Sequence, residues 1–327
     1  MRKWQDFIRL AGTAVALVAL ASSAALGQQP VVFKASEYGR ANLRINESTG
    51  NVSGFFAVQK GAFEPLNMFP ANDPIRLAAK PIGRVDVLVK LPSGEEGVET
   101  CTGALLAGDF VITNHHCLPQ SGGKRPVKAS IVMDYLQADG AGSERFELTL
   151  KPDDFNEARD YVVVKVSGNP TAKYGFVRLT STAADPGQPM MIFHHPMGRP
   201  KVMTRVRCFA MPSQPDKQVL HHQCDTMPGS SGSLILSNRG ETLALHFSGG
   251  LSADDATSYN IAVRMADILA NSSILQGIIA QQGGVAAGST ASAPPPERID
   301  TGASATTRPN ETERLFTEDE INHMLRN

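Results

Sequence analysis

The chain has 327 residues, 42% of them hydrophobic, and a formal net charge of −1 from 31 Lys+Arg against 32 Asp+Glu. That length accommodates one domain of about 200 residues plus extensions, with enough apolar side chains to fill a core. A near-neutral balance without a basic block argues against a nucleic-acid partner.

The first 27 residues have the layout of a secretory signal peptide. Met1-Arg2-Lys3 and Arg9 supply positive charge, Leu10–Ala21 is an apolar run, and Ser22–Gly27 is a run of small residues ending in Leu and Gly before Gln28. This predicts cleavage after Gly27 and export, to the periplasm or outside the cell. The alternative is an uncleaved membrane anchor, although the run is shorter than the ~20 residues a span needs. No cysteine sits at the cleavage point, so no lipid attachment is expected there. All four cysteines lie beyond it, an even number suited to an oxidising compartment. They permit three pairings, and composition does not choose among them.

Residues 28–80 read as a propeptide or N-terminal extension, with a turn cluster at 46–51 and prolines at 65, 70 and 74; alternatively the segment stays attached and packs across the domain that follows. From Ile82 the pattern becomes short apolar runs cut by turn signals. VDVLVKL ends at Pro92-Ser93-Gly94, ALLAGDFVIT precedes His115, KASIVMDYL ends at Ala138-Asp139-Gly140, and RFELTL and YVVVKV come next. A second series runs GFVRL, PMMIFHHP, KVMTRVRCF, QVLHHQC, SLILS, ETLALHFS, SYNIAV. Regular short strands of this kind predict an all-β barrel or sandwich. The period changes over Arg264–Ala280, where Met265, Ile268, Leu269, Leu275, Ile278 and Ile279 mostly share one face of a closing helix. Residues 281–310, with APPP at 293–296, are too poor in apolar side chains to fold and read as a linker. The tail 311–327 carries Thr317-Glu318-Asp319-Glu320 in capping-box form, either a short docking helix or a frayed end.

Three segments carry chemistry, in the order His, Asp, Ser. CTGALLAGDFVITNHHC (Cys101–Cys117) places a histidine beside a cysteine at the end of an apolar strand. RDYVVVKV (Arg159–Val166) places an aspartate just before a Val-rich strand. CDTMPGSSGSLIL (Cys224–Leu236) places a serine in a glycine-rich loop. Acyl transfer needs a nucleophile, a base, a carboxylate to orient that base, and donors for the oxyanion. Ser231 is the candidate nucleophile, His116 the base and Asp160 the group that holds its far ring nitrogen. The amides of Gly229 and Ser231 are the candidate oxyanion donors, since flanking glycines let the backbone approach a carbonyl closely. His221-His222 beside Cys224 have poor metal-ligand spacing and read as incidental histidines in an exposed loop. No metal or organic cofactor is expected.

In these segments the chain resembles the trypsin/chymotrypsin-like serine proteases. TNHHC matches that family's Thr-x-x-His-Cys, which selects His116 over His115. RDYVVVKV resembles its aspartate-bearing strand, and GSSGS its Gly-x-Ser-Gly-Gly/Ser loop. The short separations, with HHPMGRP at His194–Pro200 and LHFSGG at Leu245–Gly250, are similar to the compact bacterial branch that includes the glutamyl endopeptidases. The resemblance covers roughly Ile82 to Ala280. It implies two antiparallel β-barrels with the site in the cleft between them, His116 and Asp160 coming from the first and Ser231 from the second. It also implies a bridge Cys101–Cys117 beside the histidine, which leaves Cys208–Cys224. Two positions depart from the family. Ser230 replaces the aspartate that pairs with a freed N-terminus in digestive zymogens, so that activation switch is expected to be absent. Leu234 stands where proline is usual.

Specificity in such an enzyme depends on the pocket for the side chain before the scissile bond. The resemblance puts Thr226 on a pocket wall and His246 and Ser248, in LHFSGG, facing the same space, which implies cleavage after Glu. His246 could otherwise be a core histidine satisfied by backbone. Asp225 at a pocket floor would instead prefer Lys or Arg. The expected protein is thus a secreted serine endopeptidase acting on protein or peptide substrates. Because a catalytic histidine must be neutral to take a proton, turnover is expected to fall below about pH 6–7. The rival from another class is a protease fold retained as a binding module, marked by lost triad residues; here none is lost. A serine esterase would carry its nucleophile ahead of its histidine, between a strand and a helix.

Overall fold

The computed structural model describes residues 31–43, 63–121, 123–252 and 255–284. The expected signal segment 1–27, the turn cluster 46–51, all of the 281–310 linker past 284, and the tail 311–327 lie outside the described residues.

Among the described residues, fifteen strands form two antiparallel sheets. The first contains β1 (Val32–Lys34), β3 (Ile82–Lys90), β4 (Glu96–Leu106), β5 (Phe110–Thr113), β6 (Arg125–Met133), β7 (Glu144–Glu147), β8 (Asp154–Asn156) and β9 (Tyr161–Lys165). The second contains β2 (Glu64–Pro65), β10 (Met190–His194), β11 (Val202–Thr204), β12 (Val219–His222), β13 (Leu234–Ser237), β14 (Thr242–Ser248) and β15 (Asn260–Arg264). Their orders are β7-β6-β3-β4-β5-β9-β8, with β1 added beside β4, and β12-β15-β14-β13-β10-β11-β2.

Both sheets curl. A bridge between Leu148 and Val166, with Thr149 N–H donating to Lys165 O and Ser167 N–H to Glu147 O (3.0 Å each), joins the end of β7 to the end of β9. In the second sheet, bridges Pro189–Phe209 and Ala210–His222 tie the start of β10 to β12. The curl explains why the strands read as nearly unbroken apolar runs. Along β9, Tyr161 and Val163 face the core between the sheets, while Val162 and Val164 face the interior of the first sheet. Likewise Leu234 and Leu236 of β13 face the shared core and Ile235 the interior of the second sheet. Burying each such side chain contributes about 1.5–3 kcal/mol.

Two stretches of the expected N-terminal extension are built into this framework. Val32–Lys34 pairs with β4, and Phe33 is buried with Leu88 and Val98. The fully buried Arg84 donates from Nη1 to Ala41 O and Gly198 O (2.6 Å each) and from Nη2 to Arg40 O (3.0 Å), while its Nε meets Asp86 at 2.7 Å. Glu64–Pro65 pairs with β11.

The closing helix differs from expectation: it is two helices, Met265–Ala270 and Ser273–Gly284. Asn271 ends the first, and the Ser272 hydroxyl accepts the N–H of Leu275 at the start of the second. Short polar side chains compete with the helical hydrogen-bond pattern and so break it at this point. The second helix also runs to Gly284, into the expected linker. Among the described residues no helix is long and apolar enough to cross a membrane. Disulfides join Cys101 to Cys117 and Cys208 to Cys224. Each closes a loop of 16 residues in sequence, worth roughly 3 kcal/mol in the chain-entropy description.

Candidate active site

His116 and Asp160 meet because their strands are neighbours. β5 and β9 pair with Thr113 opposite Val162, so the end of one and the start of the other lie side by side. A single 3-10 turn, His115–Cys117, follows β5. It buries His115 against the Phe155 ring, with centroids 5.4 Å apart, and turns His116 outward with 42% of its side chain exposed. His116 Nδ1 lies 2.6 Å from Asp160 Oδ2, and the His116 backbone N–H donates to Asp160 Oδ1 at 2.8 Å. An ionised carboxylate only accepts, so Nδ1 carries the proton and Nε2 presents its lone pair. Asp160 has φ +45°, a left-handed conformation that aspartate tolerates, and Asn114 Nδ2 donates to its carbonyl at 2.7 Å. Next to it, Arg159 Nε donates to Asp267 Oδ2 at 2.6 Å, tying the segment to the helix Met265–Ala270. Cys101, His116 and Cys117 cluster within 4.8 Å, but both sulfurs are spent in the disulfide and offer no thiolate to a metal.

The Ser231 loop sits against β4. Thr102 N–H donates to Ser231 O at 2.8 Å and Thr102 Oγ1 to Gly229 O at 2.9 Å. Thr102 adjoins Cys101, whose sulfur is bonded to the neighbour of His116, so the three segments converge on one place. Both flanking glycines are required. Gly229 has φ +95° and its Cβ position lies 2.5 Å from His195 O; Gly232 has φ +85° and its Cβ position lies 2.1 Å from Thr102 O. Met197 N–H donates to Pro228 O at 2.6 Å. In a trans peptide the carbonyl and the N–H point opposite ways, so the Gly229 N–H faces away from Met197. Among the described residues neither the Gly229 nor the Ser231 amide donates a hydrogen bond, which leaves two adjacent donors for an oxyanion.

Ser230, before the candidate nucleophile, is fully buried. Its Oγ accepts from Met227 N–H at 3.1 Å and lies 2.8 Å from His194 Nδ1, while His194 Nε2 lies 2.9 Å from Thr204 Oγ1. A neutral chain inside the second sheet thus holds the turn that other enzymes hold with an ion pair to a freed N-terminus.

The residues expected around the specificity pocket lie close to that loop. Gly232 N–H donates to His246 O and His246 N–H to Ser233 O, at 2.9 Å each. His246 is fully buried with Nδ1 3.1 Å from His222 Nε2. His222 Nδ1 accepts from Cys224 N–H at 3.3 Å, so the His222 proton sits on Nε2 and is donated to His246. The remaining nitrogen, His246 Nε2, must then carry a hydrogen, and among the described residues it has no partner; neither does the buried Ser248 Oγ. The expectation that His221 and His222 are incidental in an exposed loop is corrected. Both lie in β12, where His222 is fully buried in this relay and His221 stacks on Tyr259 at 4.0 Å. Thr226 is buried and its Oγ1 accepts from Asn260 Nδ2 at 2.9 Å. Asp225 Oδ2 pairs with Arg207 Nη2 at 3.3 Å.

Asn260 escaped the reading of the sequence. Its Nδ2 also donates to Cys224 O (2.8 Å), and its Oδ1 accepts from Gly250 N–H (2.7 Å) and Leu251 N–H (3.1 Å), so one buried amide ties the segment that carries Thr226 to the one that follows Ser248. The signal was present, because asparagine is depleted in strands and Ser-Tyr-Asn-Ile-Ala-Val places one inside an apolar strand.

Burial pushes His194 and His246 down to about 3 and holds His222 well below its ordinary value. A proton on any of these rings would also be disfavoured by a second proton on a neighbouring imidazole, that of His116 for His246 and that of His246 for His194 and His222. All three rings are therefore neutral in the folded protein near neutral pH, whereas in the unfolded chain they bind a proton near pH 6.5. The stability these rings contribute is fully present above about pH 6.5 and is lost as the pH falls toward 3, because the unfolded state binds the extra protons. Calorimetry across that window is expected to show a steadily falling Tm; a flat Tm would contradict the buried relay.

Two curated relatives match. An uncharacterised protein of Sinorhizobium fredii, y4fB, is 26% identical over 192 residues, covering 53% of this chain and 28% of that protein. Secreted RxLR effector protein 73 of Plasmopara viticola is 29% identical over 180 residues, covering 49% and 44%. The chain spans less than half the length of either. Among solved structures, the active form of the Rv3671c protease of Mycobacterium tuberculosis superposes with a TM-score of 0.45 and 19% identity, over 63% of this chain and 86% of that one. A serine endoprotease of Yersinia pestis superposes at 0.47 and 12%, over 65% and 68%. Residues 101–245, the span that holds His116, Asp160 and Ser231 together, match the family model of the trypsin-like peptidase domain.

Proposed function

We propose that this protein is an exported serine endopeptidase that cleaves peptide bonds after glutamate through an acyl-enzyme. Ser231 Oγ attacks the scissile carbonyl carbon and its proton passes to His116 Nε2. Asp160 holds the Nδ1 proton and stabilises the imidazolium, while the Gly229 and Ser231 amides receive the oxyanion. Collapse of the tetrahedral species returns the proton to the leaving amine, and water repeats the sequence on the acyl ester. Residues 81–280 form the peptidase domain. The buried contacts of Phe33 and Arg84 support a role for 31–43 as a permanent part of it rather than a released propeptide. Cleavage after Gly27, the 281–310 linker and the 311–327 tail complete the proposed organisation, and the two disulfides fit an oxidising compartment.

The glutamate preference rests on one observation: His246 Nε2–H and Ser248 Oγ are buried beside the Ser231 loop without partners among the described residues. An unpartnered buried donor costs about 1–3 kcal/mol, which a substrate carboxylate would relieve. The competing preference for Lys or Arg through Asp225 is disfavoured by the Arg207 guanidinium already paired with that carboxylate. Cleavage of a peptide library by the mature protein, beside Ser231→Ala, tests both. Cuts after Glu that vanish in the variant are expected. Cuts after Lys or Arg would transfer the pocket to Asp225, and none by either protein would favour a binding module.

A further inference from the structure

A cavity of about 750 Å³ opens on the first sheet, a few residues along the chain from His116. Its walls come from the turn after β3, from Pro119 and the residues beyond it, and from Leu150 and Lys151 after β7. Every charged side chain that lines it is a cation: Lys90, Lys124, Arg125 and Lys151. In a chain with 31 basic and 32 acidic residues, four cations without a lining carboxylate is not a reflection of composition. Lys124 is anchored by Glu99, whose carboxylate is 2.7 Å away and buried. Among the described residues the other three form no ion pair, so their field is directed into the cavity and solvent. Glu95 ends that turn and Glu96 opens β4 opposite Lys90, but neither lines the cavity. Prolines 92, 119 and 126 stiffen the walls, so little order is lost on binding. The volume is that of a site for several side chains.

We propose that this cavity binds an acidic segment of the protein substrate, separate from the residue before the scissile bond, and so selects acidic proteins. The catalytic consequence rests on the function proposed above; the binding itself does not. The test uses full-length Ser231→Ala and fluorescence anisotropy with a labelled peptide of alternating Glu and Gly, beside the same peptide with Gln for Glu. The acidic peptide is expected to bind more tightly than the Gln peptide and to weaken as salt is raised. Adding Lys90→Ser, Arg125→Ser and Lys151→Ser together is expected to weaken it about tenfold, the sum of three exposed charges. In the protein with Ser231 intact, the same three changes are expected to raise KM about tenfold for a substrate bearing an acidic extension and to leave a short substrate unchanged. Equal binding of the two peptides, or no loss in the triple variant, would overturn the proposal. Binding that emerges only after deletion of 311–327 would overturn it too, by giving the cavity to the chain's own acidic tail. If neither substrate is hydrolysed, the proposed activity fails and anisotropy alone decides the cavity.

Discussion

Ser231→Ala and His116→Ala are each expected to lower kcat by roughly 10⁵–10⁶-fold, and the double variant by no more than either alone. The non-additivity follows from the geometry: removing the base strands the nucleophile, and removing the nucleophile leaves the base nothing to deprotonate. Asp160→Asn is expected to cost about 10⁴-fold. The carboxylate accepts two hydrogen bonds from His116, at Nδ1 (2.6 Å) and at the backbone N–H (2.8 Å). An amide at that position presents a donor to one of them and pushes the ring toward the wrong tautomer. KM is expected to change little in all three, because none of these groups holds the substrate side chain. Steady-state and single-turnover kinetics on a glutamyl peptide check this. Additive losses in Ser231→Ala/His116→Ala would mean that the two residues do not act as a unit.

His246→Leu is expected to reduce kcat/KM for a glutamyl substrate by about 10²–10³-fold, while changing a glutaminyl or phenylalanyl substrate less than about tenfold. The imidazole Nε2 carries the hydrogen because the Cys224 N–H fixes His222, and His222 fixes His246. Leucine keeps much of the volume but leaves a buried substrate carboxylate without its donor. His222→Leu is expected to show the same selectivity loss in weaker form, since it frees the tautomer of His246 and leaves the ring in place. Measuring kcat/KM against matched Glu, Gln and Phe peptides separates the two roles. A uniform fall for all three substrates would assign His246 to loop support alone.

Much of this site was legible in local sequence because its chemistry depends on local form. His116 follows an apolar strand and precedes a half-cystine, Asp160 precedes a strand buried on both faces, and Ser231 sits between glycines whose conformations no other residue adopts without strain. The all-β class was equally legible, since strands that curl and bury both faces write continuous apolar runs between turns.

Properties of pairs far apart in the chain required tertiary structure. His221-His222 looks incidental in isolation, and only the pairing of β12 with β15 and of β15 with β14 brings His222 to His246. Asp225 looks like a pocket floor until Arg207 is found beside it, and Asn260 acquires meaning from four bonds to residues up to 36 positions away. The break at Asn271-Ser272 was hidden because apolar periodicity continues across it. Local sequence thus determined which residues carry reactive groups and what backbone they need. The tertiary fold decided which groups are neutral, paired or left without partners, because burial and hydrogen bonding are set by neighbours that only the two curled sheets bring together.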